Sequence, residues 1–201
     1  MTGKELADFA ESKLGVPYVY GMKGGVMTLE KYRELKKLYG SLVWESDINK
    51  VGKVCCDCSG LISWATGIML GSWQLYEKAV KREPINTVND APIGALVWKK
   101  GHVGVYVGKG EYIAEDGSAY GCRRGVIKNM GFTHWLLMDY IDYEGGNEMV
   151  EDIKVIIDGK EINAKRILKD GSNYIKIRDI AEKMGYGISS RGNIPLLTRK
   201  A

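Results

Sequence analysis

The residues best suited to chemistry are a cysteine at position 58 and a histidine at position 102. The run Asp57-Cys-Ser-Gly precedes apolar residues at helical spacing, so we expect a helix to begin near Cys58. The positive end of a helix lowers the pKa of a thiol, and its free N–H groups can hold a developing oxyanion. Cys58 is therefore a candidate nucleophile, and the alternative is a buried structural cysteine.

A base for that thiol is supplied by His102, one of two histidines in the chain. It begins a predicted strand in which valines alternate with other residues. An imidazole beside a thiol accepts the thiol proton and later protonates the leaving amine. A histidine near a turn is usually a surface residue, but a cysteine at a helix start favours the catalytic interpretation.

Such a base needs a group that orients it through its other ring nitrogen. The next predicted strand ends in two carboxylates, Glu115 and Asp116, and antiparallel pairing would bring one of them to His102. Carboxylates near turns are otherwise usually solvated. Asn129 and His134 are weaker candidates for the same role.

The cysteines also allow a second interpretation, because Cys55 and Cys58 have the spacing of a zinc or redox half-site. A structural zinc site needs about four ligands, and only Cys122 and two distant histidines remain beside Cys56. A redox motif of the thioredoxin type would follow a strand within an α/β repeat, which the pattern lacks. We therefore expect neither a metal nor a cofactor.

The elements that must position these residues change in character along the chain. Helical patterns come first and short strands follow, which predicts an α+β fold. The predicted helices cover residues 3–14, 28–39, a segment from about 58, and 72–82. The predicted strands cover residues 93–99, 102–107, 111–115, 126–129 and 135–140.

A polar, glycine-bearing stretch at residues 144–149 predicts a linker between residues 1–143 and a second unit, residues 150–201. The second unit restarts with strands around a turn at Asp158-Gly159 and has a helix predicted at 178–184. Residues 145–201 hold 11 Lys and Arg against 8 Asp and Glu, a net charge of +3 out of +4 for the chain. About fifty residues is a marginal size for independent folding.

The composition excludes several classes of protein. Hydrophobic residues make up 45% and charged residues 27% of the 201, so the chain is neither disordered nor collagen-like. A charge of +4 is too small to imply nucleic acid, and no apolar run reaches the ~18 residues of a membrane span. The N-terminus lacks the apolar stretch of a signal peptide, so we expect synthesis in the cytoplasm and action after release.

Four blocks of sequence resemble the NlpC-type cysteine peptidases of bacterial cell walls. The blocks are Gly15-Val-Pro-Tyr-Val-Tyr-Gly, Asp57-Cys-Ser-Gly-Leu-Ile-Ser-Trp, Pro92-Ile-Gly-Ala-Leu-Val-Trp and Gly101-His-Val-Gly-Val-Tyr-Val-Gly. The resemblance covers residues 3–140 and implies a papain-like α+β fold that cleaves peptide bonds of the peptidoglycan stem. It places the nucleophile at Cys58, the base at His102 and an active-site tyrosine at Tyr18.

The long insertion at residues 27–54 makes the sequence most similar to lysins of phages and prophages. The third polar residue of that family is expected directly after Ile113, where this chain has Ala114 and then Glu115. A shift of one residue turns a strand side chain to the other face, so Glu115 would need a bulge to reach His102. We take Glu115 as the orienting residue on that condition.

The second unit resembles the small copper amine oxidase N-terminal-like module of wall-associated bacterial proteins. The resemblance is carried by the segments Val155-Ile-Ile-Asp-Gly-Lys-Glu-Ile and Tyr174-Ile-Lys-Ile-Arg-Asp-Ile-Ala. It implies no copper, because this unit contains neither histidine nor cysteine.

Together these observations predict a peptidoglycan hydrolase of the endolysin type with a wall-binding tail. An N-acetylmuramoyl-L-alanine amidase would use the same residues on a different amide. A wall-binding protein with an inactive or redox-sensing cysteine is the alternative from another class. We expect peptidoglycan as the partner, and neither nucleic acid nor a membrane.

Overall fold

The computed structural model describes residues 1–143, 150–169, 172–191 and 194–200. The chain divides into two compact units, Met1–Gly146 and Asn147–Ala201. The linker that the sequence predicts at residues 144–149 lies outside the described residues. Helices and antiparallel strands occur together in the structure, which confirms the predicted α+β class.

The first unit contains four α-helices. They are α1 (Gly3–Ser12), α2 (Leu29–Tyr39), α3 (Cys58–Thr66) and α4 (Ser72–Lys78). The side chain of Thr2 accepts the Glu5 N–H at the start of α1. Thr28 accepts the Lys31 N–H at the start of α2, which confirms it as the N-cap of that helix.

A six-stranded antiparallel sheet is the framework of the first unit. The strands of this unit are β1 (Lys23–Val26), β2 (Val54–Cys56), β3 (Lys81–Pro84), β4 (Leu96–Lys99), β5 (His102–Gly108), β6 (Glu111–Glu115), β7 (Cys122–Val126) and β8 (His134–Leu137). The six strands of the sheet lie side by side in the order β3-β8-β4-β5-β6-β7, and β1 and β2 form a separate pair.

Two predicted elements differ from the structure. The strand predicted at 126–129 is wrong, because β7 ends at Val126 and a short 3-10 helix, Ile127–Asn129, follows with Ile127 buried. The helix predicted at 72–82 stops at Lys78, and β3 follows it. Strand β3 lies at the edge of the sheet, where Pro84 needs no partner for a missing N–H.

The two faces of the sheet have separate cores. On one face, α1 and α3 pack through Leu6, Leu61 and Ile62 against Val103 and Val105 of β5. On the opposite face, side chains of the sheet and its loops form the second core, which includes Tyr106, Tyr112, Ala114, Phe132 and Trp135. Successive residues of β6 therefore point alternately towards the helices and away from them.

The two ends of the first unit are hydrogen-bonded to each other. The Gly3 N–H donates to the Asp142 carbonyl at 2.8 Å, and the Asp142 N–H donates to the Met1 carbonyl at 3.0 Å. Tyr143 packs on the core of this unit, and its hydroxyl accepts the Met138 N–H at 3.2 Å. The beginning and the end of the first unit, residues 1–3 and 142–143, therefore lie side by side.

The second unit is built from β9 (Val150–Ile157), β10 (Lys160–Lys169), β11 (Ser172–Ile175), α5 (Ile177–Lys183), β12 (Tyr186–Arg191) and β13 (Ile194–Arg199). Strands β9, β10 and β11 form one antiparallel sheet, and β12 pairs with β13. The predicted turn is confirmed, because Asp158 and Gly159 both have positive φ, as a two-residue hairpin requires. Across both units, no described helix is both long and apolar enough to cross a membrane.

Candidate active site

Helix α3 begins at Cys58, as the sequence predicts, because Asp57 caps it. The Asp57 carboxylate accepts the Gly60 N–H at 2.6 Å. A side chain at Gly60 would place its Cβ 2.2 Å from the Met22 carbonyl oxygen, so this position requires glycine. The helix start and the glycine-rich loop are therefore packed backbone to backbone.

Asp57 also fixes the loop that precedes β1. Its carboxylate accepts the Gly21 N–H at 2.9 Å and faces the Lys23 ammonium at 3.1 Å. Lys23 donates in addition to the Ser59 hydroxyl at 2.8 Å. Asp57 thus positions both Cys58, at the start of α3, and the neighbouring loop that precedes β1.

The sulphur of Cys58 lies beside the beginning of β5. The backbone N–H groups of Val103 and Ser59 lie near it and favour its charged form, and Val103 is the residue after His102. Burial, with the nearby charge of Asp57, raises the pKa of the Cys58 thiol to about 12, although these two N–H groups and Lys23 oppose the rise. The resting thiol is therefore neutral and needs a base to become a nucleophile.

His102 is held by a carboxylate that is fully removed from solvent. Its Nε2 lies 3.0 Å from Asp116 Oδ1, and its ring stacks on Phe132 with centroids 5.7 Å apart. Asp116 also accepts the Tyr112 hydroxyl at 2.8 Å and the Arg123 Nε–H at 2.6 Å. Burial disfavours the Asp116 carboxylate, but the hydrogen bonds from His102, Arg123 and Tyr112 outweigh it and lower its pKa.

The expected contact between Glu115 and His102 is wrong in this structure. Glu115 is completely buried, and its Oε1 accepts the Cys56 thiol at 3.0 Å. Its other oxygen has no hydrogen-bond partner among the described residues. Burial raises the pKa of Glu115 to about 8, so this carboxyl is mostly protonated at neutral pH.

The alternation of β6 explains the difference. Tyr112 and Ala114 belong to the core on one face of the sheet, whereas Ile113 belongs to the core under α1 and α3. Asp116 shares the face of Ala114, the position at which the family resemblance places the polar residue, and Glu115 shares the face of Ile113. The β5–β6 pairing shifts register only between Tyr106 and Gly108, far from the bulge that Glu115 would need. The alternation of side chains along β6 is therefore the sequence signal that points to Asp116.

Tyr18 lies in the site, where the family resemblance places it. It forms a bridge with Cys56, and its ring is largely buried. Burial, together with the charges of Cys58 and Asp57, raises the pKa of Tyr18. Its hydroxyl therefore stays protonated and can donate a hydrogen bond beside the nucleophile.

A buried ion pair that the sequence analysis missed supports the loop after β6. Lys50 and Asp47 lie in the short 3-10 helix Glu45–Lys50, and their charged atoms are 2.7 Å apart. The Lys50 ammonium also donates to the carbonyls of Tyr18 at 2.7 Å and of Ser118 at 2.9 Å. No sequence motif marks this pair, because its partners come from three distant segments.

The remaining cysteines are free and buried. They are Cys55, Cys56 and Cys122. Within the part of the chain that the structure describes, no group of three or more histidine, cysteine or acidic side chains is arranged to hold a metal ion. Cys55 and Cys58 therefore lie in different parts of the fold. Cys55 packs in the core around Val19 and Met27, and Cys58 is the first residue of α3.

A cleft of about 350 Å³ opens at Cys58. Its walls come from the glycine-rich loop, the start of α3 and the start of α4, and they include Tyr20, Lys23, Gly71, Ser72 and Gln74. A larger cleft of about 490 Å³ lies over the other core of the sheet and is not lined by Cys58. The smaller cleft is therefore the one where a substrate amide can reach the thiol.

A buried cysteine at a helix start, a histidine at a neighbouring strand start and a carboxylate on that histidine define a cysteine peptidase of papain-like α+β fold. The model of the NlpC/P60 family matches residues 15–139, which is more than half of the chain. The chain belongs to the NlpC/P60 family. This match confirms the predicted family.

Several solved structures align with this chain at low sequence identity. The peptidoglycan hydrolase RipB from Mycobacterium tuberculosis is 25% identical, with a TM-score of 0.47, over 70% of this chain and 65% of that one. The P60 domain of an antigen from M. avium subspecies paratuberculosis is 24% identical, with a TM-score of 0.45, over 70% and 98%. NlpC1 from Trichomonas vaginalis is 18% identical, with a TM-score of 0.47, over 68% and 43%.

The chain covers less than half the length of the Trichomonas vaginalis structures NlpC1 and NlpC2, 43% and 45% respectively. Among curated proteins, none matches the sequence significantly.

Proposed function

We propose that this protein hydrolyses an amide bond in the stem peptide of peptidoglycan, with Cys58 as the nucleophile and His102 as the base. The observation that carries the proposal is the joint position of the two residues. Cys58 lies at the start of α3 in an open cleft and close to the backbone of Val103, the residue after the histidine that Asp116 holds. Membership of the NlpC/P60 family supports peptidoglycan as the substrate.

The raised pKa of Cys58 favours a mechanism in which the proton moves during attack. His102 takes the thiol proton as the sulphur bonds to the amide carbon. The first N–H groups of a helix are not used by the helix itself, so those at the start of α3 can hold the oxyanion. As the tetrahedral intermediate collapses, His102 gives the proton to the leaving amine, and a thioester remains on Cys58.

Water completes the cycle. His102, now neutral, takes a proton from a water molecule that attacks the thioester carbon, and the thiol leaves with that proton. Asp116 keeps the His102 ring in one orientation and stabilises its positive charge in both half-reactions. Tyr18, protonated beside Cys58, shapes the site and helps to orient the amide.

Digestion of purified sacculi tests the proposal. The full chain should release new amino groups, and Cys58→Ala and His102→Ala should each lose at least about a thousandfold in rate. Cys55→Ala is the matched control, because Cys55 is equally buried but packs in another core. Mass spectrometry of the fragments identifies the bond. Intact stem peptides would indicate the amidase reaction, and split peptides would indicate an endopeptidase. Wall digestion by Cys58→Ala at the wild-type rate would refute the mechanism.

The second unit fits a role in holding the enzyme on the wall. It carries a net charge of +3, from 11 basic and 8 acidic residues between positions 145 and 201, which favours anionic wall polymers. The resemblance to a module of wall-associated proteins supports the same role. An endolysin of a phage or prophage, acting on the wall after release from the cytoplasm, is the biological setting that we propose.

A further inference from the structure

Four aromatic side chains form a stacked cluster that the catalytic mechanism does not use. We call it the aromatic ledge, and its members are Trp73, Tyr76, Trp98 and His134. The ring of Tyr76 stacks on Trp98 with centroids 4.1 Å apart, and Trp73 stacks on Tyr76 at 5.7 Å. His134 meets Tyr76 edge to face at 5.3 Å. The ledge joins α4 to strands β4 and β8.

The ledge is fixed at its base and open at its end. Trp98 is 6% exposed and belongs to the core, and its indole N–H donates to the Ser72 carbonyl at 2.8 Å. Trp73 is 53% exposed, although it contacts both Tyr76 and Trp98. A large aromatic ring is thus held in place by its neighbours while much of its surface faces water, so a ligand that stacks on it loses little side-chain entropy in the protein.

The ledge adjoins the catalytic cleft at the start of α4. Trp73 lies between Ser72 and Gln74, and both of these neighbours line the cleft that contains Cys58. Ser72 also joins the two features, because its carbonyl accepts the Trp98 indole N–H. A ligand that extends from the cleft along α4 would reach Trp73.

We propose that the aromatic ledge binds a sugar ring of the glycan strand, an N-acetylhexosamine, while the attached peptide occupies the cleft. A pyranose has an apolar face of C–H groups, which packs flat on an aromatic ring, and hydroxyls at its rim, which need polar partners. The Arg82 guanidinium, 5.4 Å from the Tyr76 ring, and the amide of Gln74, the residue after Trp73, offer hydrogen-bond donors for these hydroxyls. This inference rests on the proposed function, since peptidoglycan joins a sugar to the peptide that is cleaved.

A protein partner fits this surface less well. One half-exposed tryptophan on a helix of seven residues offers far less than the roughly 800 Å² per side of a stable protein interface. It is comparable in size to a single sugar ring. The adjacency to the cleft also favours a ligand that is covalently part of the substrate.

Binding to sugar without peptide tests the inference directly. The probe is a set of glycan strands freed of stem peptides, together with soluble N-acetylglucosamine oligomers, and the protein is the full chain with Cys58→Ala. Trp73→Ala should weaken the Kd for these probes about tenfold, and Trp73→Phe should recover part of the loss because it keeps a ring. Trp44→Ala is the matched control, since Trp44 is 50% exposed but lies outside the cleft and the ledge.

Each outcome decides the inference. A Kd that Trp73→Ala leaves unchanged, or no measurable binding of sugar by the unsubstituted Cys58→Ala chain, overturns it. Displacement of the bound glycan strands by free stem peptide, but not by N-acetylglucosamine oligomers, would assign the ledge to peptide. That result would also overturn the inference. The proposed function fails by a different measurement, the absence of amide cleavage in sacculi, so the two failures can be told apart.

Discussion

Asp116 is the residue whose replacement should separate the orientation of His102 from the rest of the site. Asp116→Asn keeps the size of the side chain but removes the charge that faces His102 Nε2 at 3.0 Å. We expect kcat to fall at least about a hundredfold. Glu115→Gln should cost much less, because Glu115 contacts Cys56 and not His102. Steady-state kinetics on a soluble muropeptide measure both.

A positioning role for Asp116 predicts more than a loss of rate. The pH profile of kcat should change in Asp116→Asn, since the substitution removes the negative charge 3.0 Å from the base His102. Thermal unfolding controls for a general loss of structure, because the Arg123 ion pair is also removed. A larger rate loss in Glu115→Gln than in Asp116→Asn would contradict the assignment and restore the expectation from the sequence.

Glu115 should make the stability of the protein depend on pH. Its pKa is raised from 4.5 to about 8 by burial, so between these values the folded chain keeps a proton that the unfolded chain has lost. Glu115 contributes its full stabilisation below pH 4.5. This contribution decreases by about 1.4 kcal/mol per pH unit as the pH rises from 4.5 towards 8. Glu115→Gln cannot ionise, and its unfolding free energy relative to the wild type should increase from pH 5 to pH 8.

Glu111→Gln is the matched control for this measurement. Glu111 lies on the same strand, is partly exposed and pairs with Arg124 at 2.8 Å. Its replacement should shift stability by a small, nearly constant amount over the same range. Parallel pH profiles for wild type and Glu115→Gln would show that Glu115 is not buried in its neutral form.

At this scale, residue type and position in the sequence point to Cys58 and His102 as candidates, but they favoured Glu115 over Asp116 as the orienting residue, and the structure contradicts that choice. The two neighbours differ only in the face of β6 to which they point, and that depends on which core each face covers. Tyr112 and Ile113 indicate which face is which, since Tyr112 belongs to one core and Ile113 to the other. Lys50 and Asp47 leave no local signal, because their contacts join segments far apart in the chain.

The insertion between β1 and β2 should support the active site through Lys50. This lysine joins Asp47 to the carbonyls of Tyr18 and Ser118, and Ser118 lies two residues after Asp116. Lys50→Met leaves Asp47 buried without its cation, so we expect a loss of about 2–3 kcal/mol in unfolding free energy. Activity should fall as well, since the loop that carries Asp116 is less firmly held. Denaturant unfolding and muropeptide kinetics measure the two effects.

Lys36→Met is the control within the same insertion. Lys36 donates to the Val43 carbonyl at 2.6 Å and pairs with the exposed Glu45, without contact to the loop after β6. Its replacement should cost less than about 1 kcal/mol and leave activity near the wild-type level. If both substitutions act alike, the insertion stabilises the fold in general and does not position Asp116.

Elements with a strong pattern were predictable, and those that depend on pairing were not. The valines of β5 alternate regularly and lie in a central strand, and Thr28 and Asp57 cap helices as their types suggest. Strand β3 contains Lys81 to Pro84 and has no apolar alternation. It forms because β8 offers it an edge, which is information that a local window does not contain.

At the scale of the whole molecule, a chain that ends at Tyr143 should keep the chemistry and lose attachment to the wall. This truncation retains the contacts that Asp142 and Tyr143 make with the first unit. We expect a soluble fragment that cleaves small muropeptides at the wild-type rate but sediments poorly with intact sacculi. The difference in sedimentation between the fragment and the full chain should become smaller at high salt, because salt screens the attraction between the basic second unit and anionic polymers.

Two results would contradict a wall-binding role for the second unit. An insoluble fragment, or one equally inactive on soluble and insoluble substrates, would make residues 150–201 part of the catalytic fold. A soluble, active fragment that sediments with sacculi as well as the full chain would leave wall binding to the first unit alone. The full chain with Cys58→Ala serves as the reference for binding without digestion.

The hydrogen bonds between residues 1–3 and residue 142 have a consequence for how such an enzyme can be assembled with other modules. Because the chain enters and leaves the first unit at one place, a partner fused at either end would be tethered at the same point relative to the cleft. Exchange of a module from one end to the other would then preserve its reach towards the substrate. The same adjacency means that a short loop could join Tyr143 to Met1, and new termini could be opened at an exposed turn such as Gly108-Lys109-Gly110 without altering the path of β4 through β8.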